Sequence, residues 1–191
     1  MQALLPPAAD CIESGVTGPR PRPARRNASS RRLGMTVTAQ SVYRHPVAKV
    51  FAQALRIRLD LSPDIHERVL TALQETMINA MLHGNLGLDS DLRNDLKGLA
   101  ASHDVIAARL ASGNRSRSLI RVQATWTRSR LRVVVRDSGD GFERDELPSI
   151  DPARLGSGRG LMILEALCDH VGIHRRGTII ALDFALAGVG T

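Results

Sequence analysis

The spacing of apolar positions changes several times along the chain, and each change marks an element. Val47, Val50, Phe51, Ala54, Leu55 and Ile57 or Arg58 recur at helical spacing and predict a helix over 47–59. Ser62-Pro63 then offers a capping hydroxyl and a proline that the first helical turn tolerates. From there Ile65, Val69, Leu70, Leu73, Met77, Ile78, Met81 and Leu82 carry one long apolar face to Gly84. Residues 119–127 and 131–136 alternate instead, and the short polar link Arg128-Ser129-Arg130 makes them an antiparallel hairpin. Leu161, Ile163, Leu164, Leu167 and Cys168 return to helical spacing, and 171–174 with 178–186 form a second hairpin turning at Arg176-Gly177. The Thr and Val of 36–43 (TVTAQSVY) read as a strand that His45-Pro46 breaks. A polar connection, 87–116, holds short helices expected around 91–99 and 103–111. The order predicts an α+β fold: a two-layer α/β sandwich whose mixed, mostly antiparallel sheet carries its helices on one face. Strands joined by short hairpins cannot be parallel neighbours, so a doubly wound sheet is excluded.

Composition changes this picture chiefly at the N-terminus. Residues 1–34 carry Pro6, Pro7, Pro19, Pro21 and Pro23, and six arginines stand against Asp10 and Glu13, which is +4 of the chain's formal +7. Such a stretch has too little apolar periodicity to offset the entropy of ordering, so a disordered basic arm is expected. Met35 stands directly behind it as an alternative start, and the domain is expected over 35–188. The domain's own charge is modest and says little about partners. Aromatic residues make up 3% of the 191, so the core must be aliphatic and direct nucleic-acid binding on stacking platforms is not expected. Cys11 and Cys168 cannot supply a disulfide framework or a four-cysteine zinc site. No apolar run approaches the roughly 20 residues of a membrane span, and MQALLPPAAD lacks the basic start of a signal peptide. A cytoplasmic protein without a membrane partner is expected.

Three segments place polar residues where a scaffold has little use for them. On the long helix Glu75, Asn79 and His83 recur every four residues and so share one stripe beside the apolar face. Glu can take a proton or orient water, and Asn can offer an oxygen to Mg²⁺; a solvent-facing stripe has the same spacing. At a strand end, Asp137-Ser138-Gly139-Asp140-Gly141 sets a carboxylate before glycines that allow close backbone approach. Asp137 can accept from an exocyclic amine such as that of adenine; a simple turn after a strand reads alike. No calcium loop continues from it. Third, Gly156-Ser157-Gly158-Arg159-Gly160-Leu161 opens a helix, whose first N–H groups can receive an anion. A flexible linker is the bland alternative. The run is neither a dinucleotide fingerprint nor a phosphate loop ending in Gly-Lys-Ser/Thr.

Taken together, Glu75-x-x-x-Asn79-x-x-x-His83-Gly84-Asn85 and the two glycine-rich segments resemble the N, G1 and G2 boxes of the GHKL (Bergerat-fold) ATPases. That superfamily is shared by type II topoisomerases, heat-shock chaperones, mismatch-repair proteins and sensor histidine kinases. The likeness runs from about Thr36 to Leu186, and it is closest to the anti-sigma-factor serine/threonine kinases of bacterial partner switching. The resemblance implies ATP and Mg²⁺. Asn79 would hold the metal and Glu75 would be the base or water-orienting residue. Asp137 would receive the adenine amino group, with Thr178 sharing that contact. Gly139 and Gly141 would admit the base, while Gly158, Arg159, Gly160 and Leu161 would cradle the phosphates and 143–157 would form the lid. His83 falls within the same nucleotide-binding set. The implied partner is an anti-anti-sigma-like protein, with a sigma factor or a response-regulator system beyond it. An exposed strand edge or the first helix offers a surface for a homodimer. An ATP-gated binding module without efficient phosphoryl transfer is the alternative. Ser102-His103-Asp104 is only superficially like a phosphoacceptor box and reads as a capping Ser beside a surface His.

Overall fold

A computed structural model describes residues 4, 9–14, 16, 31–88, 98–111, 118–141 and 159–186. The elements run β1 (Asp10–Ile12), β2 (Arg32–Thr38), α1 (Ala39–Arg44), α2 (Val47–Leu59), α3 (Pro63–Asn79) and a π-helical turn (Ala80–Asn85). There follow α4 (Gly98–Ala111), β3 (Leu119–Trp126), β4 (Arg130–Arg136), α5 (Arg159–Leu167), β5 (His170–His174) and β6 (Ile179–Ala185). The strands form one six-stranded sheet in the order β1-β2-β3-β4-β6-β5. Every neighbouring pair is antiparallel except β1 and β2. This is the expected α+β sandwich.

Alternation builds the core. Met35, Val122, Val135 and Ile180 lie in register across four strands, and Leu33, Ala124, Val133 and Leu182 form the next row. Against these rows pack Phe51 and Leu55 of α2 and Val69, Leu73 and Met77 of α3, all essentially inaccessible to water. Each fully buried side chain of this kind contributes roughly 1.5–3 kcal/mol. Among the described residues no helix is long and apolar enough to cross a membrane.

Four expectations need correction. The stretch 36–43 is not one strand: β2 spans Arg32–Thr38, and a helix begins at Ala39. Thr38 turns the chain because its hydroxyl accepts from the Ser41 amide and caps α1. Nor is the arm wholly without structure, since Asp10–Ile12 pairs with β2 and Leu33 is fully buried. The Glu13 carboxylate accepts from the Thr38 amide at 2.7 Å, and Arg32 pairs with Asp10 at 3.0 Å. Third, the long helix does not stay α-helical to Gly84 but widens at Ala80. Fourth, residues 102–104 lie inside α4, so Ser102 does not cap a helix start. The expected helix over 91–99 falls mostly outside the described residues, as do most of residues 1–34, the lid 143–157 and residues 187–188.

Candidate functional site

Ser62 starts α3 by accepting from the Ile65 amide, with Pro63 in the first turn. The helix buries Val69, Leu73 and Met77 toward the sheet, which leaves Glu75 and Asn79 half-buried at its margin. After Asn79 the backbone opens into a π turn, and the Leu86 amide donates to the Met81 carbonyl at 2.9 Å. Wider i→i+5 closure shifts residues round the axis, and such turns recur at functional sites. His83 lies inside this turn, four residues after Asn79. Its Nδ1 donates to the Leu88 carbonyl and braces the turn.

The π turn meets the loop that leaves β4. A Cβ built on Gly84 would lie 2.7 Å from both Asp137 carboxylate oxygens, and one on Gly139 would lie 2.6 Å from the Gly84 carbonyl carbon. The two segments thus touch backbone to backbone, which explains Gly139 by protein contact. Gly141 takes a left-handed φ of 79°, and a Cβ there would meet Arg176 Cβ at 2.9 Å and overlap the Arg176 carbonyl oxygen. Both glycines thus also serve close contacts within the protein. Asn85, almost fully buried, locks the contact: its Oδ1 accepts from the Ser138 amide at 3.0 Å. Its amide Nδ2 is buried without a hydrogen-bond partner among the described residues.

Asp137 is held through both its backbone and its carboxylate. Its amide donates to the Thr178 carbonyl at 3.2 Å, continuing the β4–β6 ladder, and its Oδ1 accepts from the Gly139 amide at 2.8 Å. Burial raises its pKa above the ordinary carboxylate value of 3.8, partly offset by the Gly139 N–H. A half-buried carboxylate of this kind favours a strong external donor. Thr178 stands beside it through the backbone, while its hydroxyl donates to the Arg175 carbonyl at 3.0 Å.

α5 brings the third segment onto the first. A Cβ on Gly160 would come within 2.9 Å of both Asn79 Nδ2 and Glu75 Oε1. The first turn of α5, whose N–H groups have no intrahelical acceptor, therefore sits on the carboxamide and carboxylate of α3. Leu161 is half-buried next to it. Gly158 lies outside the described residues, and Arg159 is described by its backbone alone. So α3 joins both other segments, Asp137 through Gly84 and α5 through Asn79 and Glu75. Gly84, Asn85 and Ser138 complete this junction. The sequence signal for Gly84 and Asn85 is the run His83-Gly84-Asn85, which begins four residues after Asn79, and that for Ser138 is its place behind Asp137.

Among the described residues no cluster of three or more His, Cys, Asp or Glu side chains could hold a metal ion. A cation here would rest on Asn79 and on the oxygens of a ligand. Residues 105–184 match the family model of the histidine kinase-like ATPase domain. That match supports the GHKL-type ATPase superfamily, and with it ATP binding and a kinase-like regulatory role. The chain matches no curated protein. The ATPase-like stretch contains Asp137, Gly160 and Thr178 but begins after Glu75 and Asn79, which join it through the contacts of α3.

Proposed function

We propose that the domain binds Mg-ATP between α3, the 137–141 loop and the start of α5, and acts as a regulatory serine/threonine kinase of the anti-sigma-factor type on a small partner protein. The supporting observation is the seating of Gly160 against Asn79 and Glu75. It sets an anion-receiving helix start beside an oxygen ligand and a carboxylate. Asp137 reads the exocyclic amine of adenine, and the Nδ2 of Asn85, without a hydrogen-bond partner among the described residues, leaves a further donor behind the same loop. Asn79 would hold the magnesium, whose chemistry is to neutralise charge on the phosphates. Glu75 steers or takes the proton of the attacking hydroxyl. The family match and the donor set fit this reading together.

The test is transfer of labelled γ-phosphate to small proteins encoded beside the chain. Changing Glu75 to Ala should leave the melting shift with Mg-ATP and the binding of the partner intact. Transfer should fall by about 10²–10⁴-fold, the usual worth of a positioned base. If the parent transfers nothing to any such protein while ATP still changes partner affinity, the domain is an ATP-gated binding module instead.

A further inference from the structure

The sheet face opposite the core rows follows from the same register. One row there runs Arg32, Thr125, Arg132, Asp183 and His170, and another runs Thr36, Arg121, Arg136, Ile179 and His174. Between them lie the small or flat residues Gly34, Gln123, Val134, Ala181 and Gly172. The two rows are four residues apart along β4, about 13 Å.

Charge separates the rows. The first carries carboxylates of its own: the buried Asp183 carboxylate lies 2.7 Å from Arg130 Nη2 and 3.4 Å from Arg132 Nε, while Arg32 pairs with Asp10. In the second row Arg121 and Arg136 stand directly opposite each other on adjacent strands, and neither has a carboxylate partner among the described residues. Like charges in directly opposed positions destabilise a strand pair. Arg175, the residue after His174, is exposed and holds a left-handed φ of 48°, which costs energy without a glycine. The end of the sheet nearest Asp137 thus sets Arg121 and Arg136 side by side, with Arg175 and Arg176 in the adjoining hairpin turn.

We propose that this arginine row is a docking surface for an acidic segment of a partner protein. Two opposed guanidiniums suit carboxylates taken in bidentate pairs. A second copy docking through this same face would set like charges together. Nucleic acid is the poorer fit, since no Phe, Tyr or Trp ring stands among the outward residues of β2, β3, β4, β5 or β6 to stack a base. The surface lies outside the nucleotide cleft, and the inference stands without the kinase reading.

Fluorescence anisotropy of a labelled oligoglutamate peptide against the full chain tests it, with single-stranded and duplex oligonucleotides as competitors. Changing Arg121 and Arg136 together to Gln should weaken peptide binding at least tenfold. The charge-matched change of Arg56 and Arg128 to Gln should alter it less than twofold. Arg136→Glu supplies a second variant, because a carboxylate opposite Arg121 replaces repulsion with attraction. It should melt no lower than the parent and still lose the peptide. Equal weakening in both double variants, no binding by the parent, or an oligonucleotide bound in preference to the peptide at the same arginines would overturn the proposal.

Discussion

Asp137 keeps its carboxylate half inside the protein, and burial makes the charged form costly there. Its pKa is raised in the folded state, so above about 3.8 the native protein holds this proton more readily than the unfolded chain. Stability from this group therefore falls as pH rises through that window and stays lower at neutral pH. Asp137→Asn should remove the cost while still accepting from the Gly139 amide. The ligand-free protein should melt higher at pH 7, and its stability should vary less as pH rises above about 3.8. The melting shift produced by Mg-ATP should disappear; thermal scans with and without nucleotide read all three. The sequence made Asp137 visible because a carboxylate at a strand end before glycines is rarely a packing choice. Asn85 was visible only as part of a motif. Its hydrogen bond to Ser138 depends on a turn whose shape no residue type announces.

At the scale of elements, the π turn decides how α3 meets the Asp137 loop. Apolar residues at 77, 78, 81 and 82 suit an α-helix and a wider turn equally, so periodicity could not reveal the change at Ala80. The strand-to-helix break at Thr38 was hidden for a related reason, since TVTAQSVY carries both β-branched residues and a cap. By contrast β3, β4, α2 and the β5–β6 hairpin were legible, because strict alternation and helical spacing have few other readings. The close contact between turn and loop yields a paired prediction. A Cβ at Gly84 would strike the Asp137 carboxylate, a short side chain that can swing aside. Gly84→Ala should thus cost little stability and weaken nucleotide binding at least tenfold, as calorimetric titration would record. A Cβ at Gly139 would strike backbone, which cannot give. Gly139→Ala should cost about 1–3 kcal/mol, typical of overpacking, in a urea melt.

For the whole molecule the largest departure is the N-terminal arm. Composition described the proline- and arginine-rich stretch, but a three-residue strand has no periodicity to read, and its pairing with β2 is a tertiary fact. Leu4 is buried, its carbonyl accepts from Arg58, and Glu13 holds the Thr38 amide. A chain beginning at Met35 would lose all of these together with Leu33 from the core. That truncation should lower the unfolding free energy by more than the roughly 2–5 kcal/mol of a single buried leucine replaced by alanine. A chain beginning at Ala9, which keeps β1, should retain most of that stability; chemical denaturation of the two forms decides between an anchored strand and a dispensable tail. Because among the described residues β1 pairs with β2 alone, and β2 is otherwise held in the sheet by β3, the order of synthesis and the order of docking run opposite ways. A short two-stranded pair is too weak to persist alone in water. β1 therefore gains a lasting partner only once β3, made much later in the chain, has given β2 somewhere to stand.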